Sequence, residues 1–316
     1  GAEKATYDVE LEIRMPNPIL TKVVSKAIVS GDTWSFDYNT FGIKGTNKAT
    51  LEFSTIPPIN LENRLIYLIQ YPHGCIEQTT SAVFPQLFLN DLLELSNKKQ
   101  RNIQHNIEEA LVRIKSFQTS NGGFTYWPNS YYSENEWGTN YAGHFMVEAK
   151  KKGYQLPIGL LDNWIAYQTE KANTWDFWKT KSNYYQRSLE LTQAYRLYTL
   201  ALADKPVLSA MNKLRSYTNL SSVAKWRLAA AYTLIGRKDV ANDLVFRTSK
   251  NINPYNGTSY TYGGKTRDEA LILEALALMQ EHEEGKELLD NIAKKLASGD
   301  YMNTQSTAYS LLAISK

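Results

Sequence analysis

Two side chains in this sequence, Cys75 and Gln78, have the spacing needed to react with one another. They belong to the run Tyr-Pro-His-Gly-Cys-Ile-Glu-Gln-Thr-Thr at residues 71–80, and a helical pattern follows to about residue 93. Side chains three apart on a helical turn face the same way, with Cβ atoms about 5–6 Å apart. A thiol and a carboxamide so placed can condense into an internal thioester with loss of ammonia. This bond stores an activated acyl group, so the fold must shield it from water until a trigger.

Composition alone leaves other interpretations of Cys75 open. It is the single cysteine of the chain, which excludes an internal disulfide framework. Free cysteines are commonly buried as small apolar side chains, so composition by itself favours a core filler over a reactive thiol. A cysteine hydrolase is a further alternative, and it needs a base within hydrogen-bond reach of the thiol. His73 is the only near candidate by sequence, and no third group is evident.

The first fifty-odd residues have the pattern of β-strands. Apolar residues alternate with polar ones at residues 7–13 and again at residues 48–54. Residues 20–29 and 33–38 are rich in β-branched and aromatic side chains, and the turn signal Ser-Gly-Asp at residues 30–32 separates them. The sequence therefore predicts a small partial β-sandwich segment over residues 1–58, with an unpaired edge unless further strands come from elsewhere.

From residue 61 onward the apolar period becomes that of helices. Amphipathic stripes occur at Ile103, Ile107, Leu111 and Ile114, and at Leu288, Leu289, Ile292 and Leu296. Other segments, at residues 228–235, 270–279 and 307–314, are apolar nearly all round and require burial on both sides. This alternation predicts a mainly α fold of about twelve helices over residues 59–316, arranged as an α/α toroid of two concentric rings. A helical solenoid competes, but the sequence has no tight fixed-length repeat.

Several motifs resemble one known family. Residues 74–78 match the Gly-Cys-x-Glu-Gln thioester motif of the alpha-2-macroglobulin and complement family, and residues 71–80 resemble its bacterial branch. Ile76 supports that branch, because animal members usually have glycine there. Residues 118–124 with Trp127 resemble the family's Gln-x-x-x-Gly-Gly-Phe loop, and residues 137–142, 261–278 and 303–312 resemble its later helix starts. The resemblance covers essentially residues 5–316.

The resemblance implies a function and a set of site residues. Cys75 and Gln78 would form the thioester, and Tyr71 would pack beside it as a shield. The domain would be an α/α toroid inserted into a split CUB-like β domain whose remaining strands follow Lys316. The parent would be a broad protease inhibitor of the periplasm, commonly a lipoprotein, that traps and acylates an attacking protease. Its partners would be target proteases and its own other domains; the bond acts once, so the protein would not be an enzyme and would need no cofactor or metal.

The histidines bear on the choice of acyl acceptor. In some complement relatives a downstream histidine takes the acyl group and favours hydroxyl acceptors, but residues 156–186 contain no histidine. His144 lies too early in the chain and is expected to be a surface or packed residue. His105 and His282 are expected on solvated faces, and His73 in a solvent-facing turn. The resemblance therefore implies that amines are the preferred acceptors.

Composition also limits the classes of function. The chain has 316 residues, 43% hydrophobic and 21% charged, with a net charge of +3. No sustained basic stripe indicates nucleic-acid binding, and no apolar run is long enough to span a membrane. A carbohydrate-active α/α-toroid enzyme is the remaining alternative, although no carboxylate pair stands out. The aromatic residues Tyr126, Trp127, Tyr131, Tyr132 and Trp137 fit either a ligand groove or, more simply, loop anchoring.

Overall fold

The computed structural model describes residues 9, 20–51, 53, 57, 59, 61, 68–130, 133–176, 183–255, 261–298 and 300–316. Contacts between residues divide the chain into two units, residues 1–58 and residues 59–316. Each unit is described by itself. No helix in the described ranges is long and apolar enough to cross a membrane.

The described residues of the first unit contain none of the β-strands that the sequence pattern predicts. The turn at residues 30–32 does form, with Gly31 at φ 92° and the Asp32 amide donating to the Val29 carbonyl at 3.0 Å. On either side of it, residues 20–29 and 32–41 contain no strand. A strand is held by hydrogen bonds to a neighbouring strand, and the apolar side chains of this segment, such as Leu20 and Phe36, are exposed. The predicted strand at residues 7–13 lies, apart from Val9, outside the described residues.

The second unit is helical. Twelve helices are described in it, numbered in chain order: α1 Ile76–Val83, α2 Gln86–Leu92, α3 Asn97–Lys115, α4 Glu136–Lys151, α5 Leu160–Thr174, α6 Asn183–Leu202, α7 Leu208–Arg215, α8 Ser222–Leu234, α9 Lys238–Val245, α10 Lys265–Met279, α11 His282–Ala297 and α12 Thr304–Ser315.

These helices form two concentric rings. Helices α1, α4, α6, α8, α10 and α12 contact one another in that order, and α12 returns to α1, which closes the inner ring. Helices α3, α5, α7, α9 and α11 each lie between two inner helices in the sequence and pack outside the ring. The short helix α2 follows α1 directly and contacts α12 and α3. Inner helices alternate with outer ones along the chain, so the inner helices run parallel and their N-terminal ends meet at one end of the toroid. The predicted α/α toroid is confirmed.

Burial explains the assignment of each helix to a ring. The outer helix α3 buries one stripe, which includes Ile103, Ile107 and Leu111, and exposes its charged face. The inner helices α8, α10 and α12 bury residues all round, which matches the three segments that the sequence predicts to be covered on both sides. The sequence pattern therefore distinguishes the two rings correctly.

One contact between the rings leaves no room for a side chain. A Cβ atom added to Gly143 of α4 would lie 2.1 Å from the indole ring of Trp164 on α5. Trp164 is fully buried and donates from its indole nitrogen to the Thr139 carbonyl at 2.8 Å, so packing and this hydrogen bond both oppose displacement of the ring. Glycine at this position is therefore required by packing.

We expect Gly143→Ala to lower the free energy of unfolding by about 1–3 kcal/mol, because overpacking outweighs alanine's better helix propensity. Urea unfolding of the chain measures this loss. Gly264→Ala is the matched control: its backbone is extended and no atom lies within 4 Å of the added Cβ. The control should change stability by less than about 0.5 kcal/mol. An equal effect of both substitutions would contradict the packing explanation.

Candidate thioester site

Cys75 and Gln78 lie at the first turn of α1. Cys75 immediately precedes the helix with an extended backbone, φ −73° and ψ 174°, which is the N-cap position. Its amide N–H donates to Gln78 Oε1 at 3.2 Å, and the Cys75 side chain faces the backbone N–H of Gln78 in a reciprocal capping arrangement. Helix geometry therefore brings the thiol and the carboxamide to the same side of one turn.

Gly74 is required immediately before this pair. Its φ of 84° lies in the left-handed region that favours glycine. A Cβ atom there would also lie 2.2 Å from Gln78 Oε1, so any side chain would displace the carboxamide. Pro72 and Gly74 thus set the entry to the helix, as the sequence motif indicates.

The two members of the pair differ in their access to solvent. Cys75 is 1% exposed, whereas the Gln78 side chain is exposed. The sulfur is therefore sheltered by the fold, whereas the Gln78 residue is open to solvent.

Polar contacts fix the loop that carries Cys75. Arg113 of α3 donates from Nη2 to the Gly74 carbonyl at 2.8 Å and from Nε to Thr79 Oγ1 at 3.2 Å. The Ile76 amide donates to the Tyr126 carbonyl at 3.0 Å, which ties the first residue of α1 to the loop between α3 and α4. These contacts hold the first turn of α1 from two sides.

Glu77 connects α1 to other inner helices. Its carboxylate is buried, and its Oε1 accepts from Ser81 Oγ at 2.7 Å and from Thr304 Oγ1 at 3.1 Å. Thr304 is the first residue of α12, and Ser81 also contacts the Tyr141 hydroxyl of α4 at 3.1 Å. A carboxylate in the first turn also complements the positive end of the helix dipole.

The starts of the other inner helices meet beside Cys75. A Cβ atom on Gly138 would lie 2.7 Å from Ile76 Cγ2, so α1 and α4 are in close contact there. Trp137 at the start of α4 donates from Nε1 to Gln305 Oε1 at 3.1 Å, and the Arg267 guanidinium of α10 lies 4.7 Å from the Trp137 ring centre. The site is therefore assembled at the end of the toroid where the inner helices begin.

Two tyrosines beside the sulfur were not singled out by sequence as site residues. The pKa of Tyr126 is raised, first by its interaction with the Cys75 side chain and then by burial and by Tyr262. The Tyr126 and Tyr262 rings stack with centres 6.4 Å apart. The sequence indicated Tyr126 only as a member of the aromatic cluster, for which loop anchoring is the simpler interpretation. Of that cluster, Trp137 is buried and Trp127 is half-exposed, while Tyr131 and Tyr132 lie outside the described residues.

Tyr71, the predicted shield, lies on the side of α3. Its hydroxyl donates to Glu109 Oε2 at 3.1 Å, which raises the pKa of Tyr71, and its ring centre is 6.4 Å from that of His105. The side chain is 53% exposed. No hydrogen bond or ring contact of the described residues joins Tyr71 to Cys75 or Gln78, and its shielding role stays a prediction.

The histidines occupy the kinds of position that the sequence indicates. His73, His105 and His282 are exposed. The His73 carbonyl, not its ring, is the group that accepts from Thr79 Oγ1, at 3.3 Å. His144 is fully buried in the inner ring, with Nδ1 2.9 Å from the Tyr195 hydroxyl, and burial lowers the pKa of His144.

Comparisons with known proteins agree with this geometry. Residues 50–189 match the family model described as the A-macroglobulin TED domain, the thioester domain. The alpha-2-macroglobulin of Escherichia coli (strain K12) is 25% identical over 96% of this chain and 19% of its own length. Trypsin-activated alpha-2-macroglobulin from Escherichia coli superimposes with a TM-score of 0.66 at 24% identity, covering 82% of this chain and 18% of that chain. Salmonella alpha-2-macroglobulin reacted with methylamine gives a TM-score of 0.67 at 24% identity, with the same coverage.

The fold and the site define an α/α-toroid thioester domain. Residues 50–189 match the A-macroglobulin thioester domain, and over nearly its whole length the chain is similar to a bacterial alpha-2-macroglobulin. The match to the Escherichia coli protein includes 96% of this chain, but the chain spans only about a fifth of the length of that relative. Among the described residues, no group of three His, Cys, Asp or Glu side chains is arranged to hold a metal ion.

Proposed function

We propose that Cys75 and Gln78 form an internal thioester that serves a protease-trapping protein. The observation that carries this proposal is the reciprocal arrangement at the start of α1, where the Cys75 amide holds Gln78 Oε1 at 3.2 Å. The same N–H can stabilise negative charge on that oxygen when the acyl carbon is attacked. Gly74, Arg113 and Glu77 hold the turn in place.

The names of the similar proteins support the chemistry and the partner. One relative is described as activated by trypsin and another as reacted with methylamine. By analogy, the parent of this chain presents its thioester after proteolysis, and the attacking protease supplies the amine that is acylated. Tyr71 would cover the bond in that parent. The resemblance in sequence is also the support for a periplasmic, lipid-anchored parent.

The site favours a single-use acyl donor over a cysteine hydrolase. A hydrolase needs a base at the thiol and a turnover cycle. Among the described residues, Cys75 pairs with Gln78 and influences the pKa of Tyr126, and the histidine closest to it in sequence, His73, is exposed. The family assignment likewise does not favour a carbohydrate-active enzyme.

We expect methylamine to release one thiol at Cys75 and to leave a methylamide on Gln78, because an amine needs no second base to attack the acyl carbon. Glycerol should react much more slowly, since residues 156–186 contain no histidine to relay the acyl group. Mass spectrometry of the peptide that contains residues 75–78 measures both products, and Cys75→Ala is the unreactive control.

Two results would argue against parts of this proposal. Equal labelling by glycerol and methylamine would refute the amine preference and point to His73 as a base.

For the whole parent protein, incubation with trypsin should give a covalent conjugate that Cys75→Ala lacks. A parent that inhibits trypsin equally well with and without Cys75 would separate trapping from the thioester.

A further inference from the structure

Arg113 and Gln78 hold opposite ends of the peptide group between Gly74 and Cys75. The carbonyl of this group, on Gly74, accepts from Arg113 Nη2 at 2.8 Å. Its N–H, on Cys75, donates to Gln78 Oε1 at 3.2 Å. A trans peptide is planar, and its C=O and N–H point in opposite directions. The contact that Arg113 makes at one end therefore sets the direction in which the other end points.

This peptide group needs a partner outside its own turn. Gly74 has φ 84° and no side chain, so its backbone rotates more freely than that of any other residue type. Thr79 Oγ1 lies 3.3 Å from the His73 carbonyl oxygen and 3.5 Å from that of Gly74, and it accepts from Arg113 Nε at 3.2 Å. Arg113 thus holds both the carbonyl and the hydroxyl beside it, which opposes rotation of the peptide.

Arg113 is itself held in place on two sides. Its guanidinium carbon lies 5.6 Å from the ring centre of Phe117, which is buried just beyond the end of α3. Thr79, which accepts from Nε, is fully buried in α1. The guanidinium is planar, so Nε and Nη2 keep a fixed relative geometry that a lysine side chain does not reproduce. The two contacts therefore act as one unit that joins α3 to the turn before α1.

The charge of Arg113 also strengthens the donor at the other end of the peptide. A hydrogen bond from a guanidinium is charge-assisted, and a carbonyl that accepts it polarises its own peptide group, so that the N–H becomes a better donor. In a closed thioester Oε1 remains as the carbonyl oxygen, because the side-chain nitrogen of Gln78 leaves as ammonia. Negative charge develops on this oxygen when the acyl carbon is attacked, and the Cys75 N–H is aimed at it.

We propose that Arg113 is a positioning residue of the thioester reaction, which fixes and polarises the Cys75 N–H that stabilises the charge on Gln78 Oε1. This inference rests on the proposed thioester. In the step, the amine nitrogen bonds to Cδ of Gln78 and the C=O electron pair moves onto Oε1. That pair returns as the C–S bond breaks, the C–S electrons stay on sulfur, and solvent takes the amine proton and protonates the thiolate. Closure passes through the same oxyanion, with ammonia as the leaving group.

The test compares Arg113→Met with the unsubstituted chain, because methionine keeps an apolar stem and removes the donors and the charge. The rate constants for methylamide formation on Gln78 and for hydrolysis in buffer are measured on closed molecules, by mass spectrometry of quenched samples. Both should fall about 10-fold, a part of the roughly 100- to 1,000-fold loss that follows removal of an entire oxyanion donor. Arg215→Met is the matched control: it removes an arginine from the outer helix α7 and should leave both rates unchanged.

An arginine that only fastens the loop would give a different pattern. Its loss would loosen the site and admit water, so hydrolysis would be unchanged or faster, and either result would overturn the inference while leaving the thioester in place. Arg113→Lys keeps a charged donor for the Gly74 carbonyl and should recover part of the lost rate. Rates in Arg113→Lys as low as those in Arg113→Met would refute the role of the charge.

The thioester and the role of Arg113 are tested separately. An unsubstituted chain that never acquires a methylamide would overturn both proposals together. If Arg113→Met does not fold or never closes, Thr79→Val gives the second comparison, because valine keeps the shape of threonine and removes only the hydroxyl that Arg113 binds. That variant should slow both rates several-fold, and unchanged rates would refute the positioning role.

Discussion

Freshly prepared chain is expected to have lost the side-chain nitrogen of Gln78, and Cys75→Ala is expected to retain it. The physical reason is that only a thiol held beside the carboxamide, as at the start of α1, can expel ammonia and close the ring. While the bond is intact, the chain is lighter than its sequence by one ammonia and has no thiol to alkylate. Each molecule has either lost the side-chain nitrogen of Gln78 or retained it.

Hydrolysis of the thioester would give a second product, which has to be distinguished from the closed form. Gln78 is open to solvent, so water can hydrolyse the bond and leave a carboxylate where the carboxamide was. Gln78→Glu has the same covalent structure as the hydrolysed chain, and it provides the reference mass and the reference stability. The variant should fold, because a negative charge in the first turn of a helix is favourable. It should not lose ammonia or react with methylamine.

Peptide mass spectrometry separates the possible states of residues 75–78. Closed, hydrolysed and methylamide-labelled molecules have all lost the original nitrogen, and cell lysis in methylamine should convert closed molecules to the last form. Chains in which every Gln78 keeps its carboxamide and every Cys75 is alkylated would show that closure does not occur in this protein. The family assignment would remain, because it depends on sequence and fold.

The helices and the placement of Cys75 and Gln78 on one turn could be predicted from sequence because both depend on local spacing. An apolar stripe such as Ile103, Ile107 and Leu111 buries one face wherever its helix packs. Cys75 and Gln78 are three residues apart, so a single helical turn is sufficient to align them. In each case the information lies within one element.

The surroundings of the sulfur could not be predicted in this way. Tyr126 and Tyr262 lie in two separate loops, and the stacking of their rings depends on closure of the whole inner ring. The left-handed backbone of Tyr262 has no sequence signal of its own, since tyrosine rarely adopts it. The strands expected at residues 20–29 and 33–38 are absent for a related reason. Their β-branched and aromatic side chains favour an extended backbone, but a strand also needs hydrogen bonds to a neighbouring strand.

The second large effect is expected at the centre of the toroid, where Arg227 of α8 and Glu274 of α10 form a buried ion pair. The two side chains are 0% and 1% exposed, and Nη1 donates to Oε2 at 2.7 Å. Glu274 Oε1 accepts from the Tyr198 hydroxyl at 2.6 Å, and the guanidinium lies 4.2 Å from the Tyr198 ring centre. Burial alone would raise the pKa of Glu274, but Arg227 holds that pKa below its ordinary value.

We expect Glu274→Gln to lower the free energy of unfolding by about 3–5 kcal/mol, because it leaves the Arg227 charge buried without a counterion. Glutamine keeps the size of the side chain and can still accept from Tyr198, so the loss reports the charge and not a cavity. Urea unfolding measures it. In the double variant Arg227→Met with Glu274→Gln the uncompensated charge is absent, and part of the lost stability should return.

An exposed pair provides the matched control. Arg215 and Asp243 connect the outer helices α7 and α9 at 2.9 Å, with side chains 39% and 71% exposed. Because water solvates both charges after either partner is removed, Asp243→Asn should cost less than about 1 kcal/mol. A similar small loss for Glu274→Gln would mean that water reaches the inner ring, and the buried pair would then have no special part in joining α8 to α10. A large loss at Glu274 alone would identify this pair as a principal contact within the ring whose helix ends assemble the thioester site.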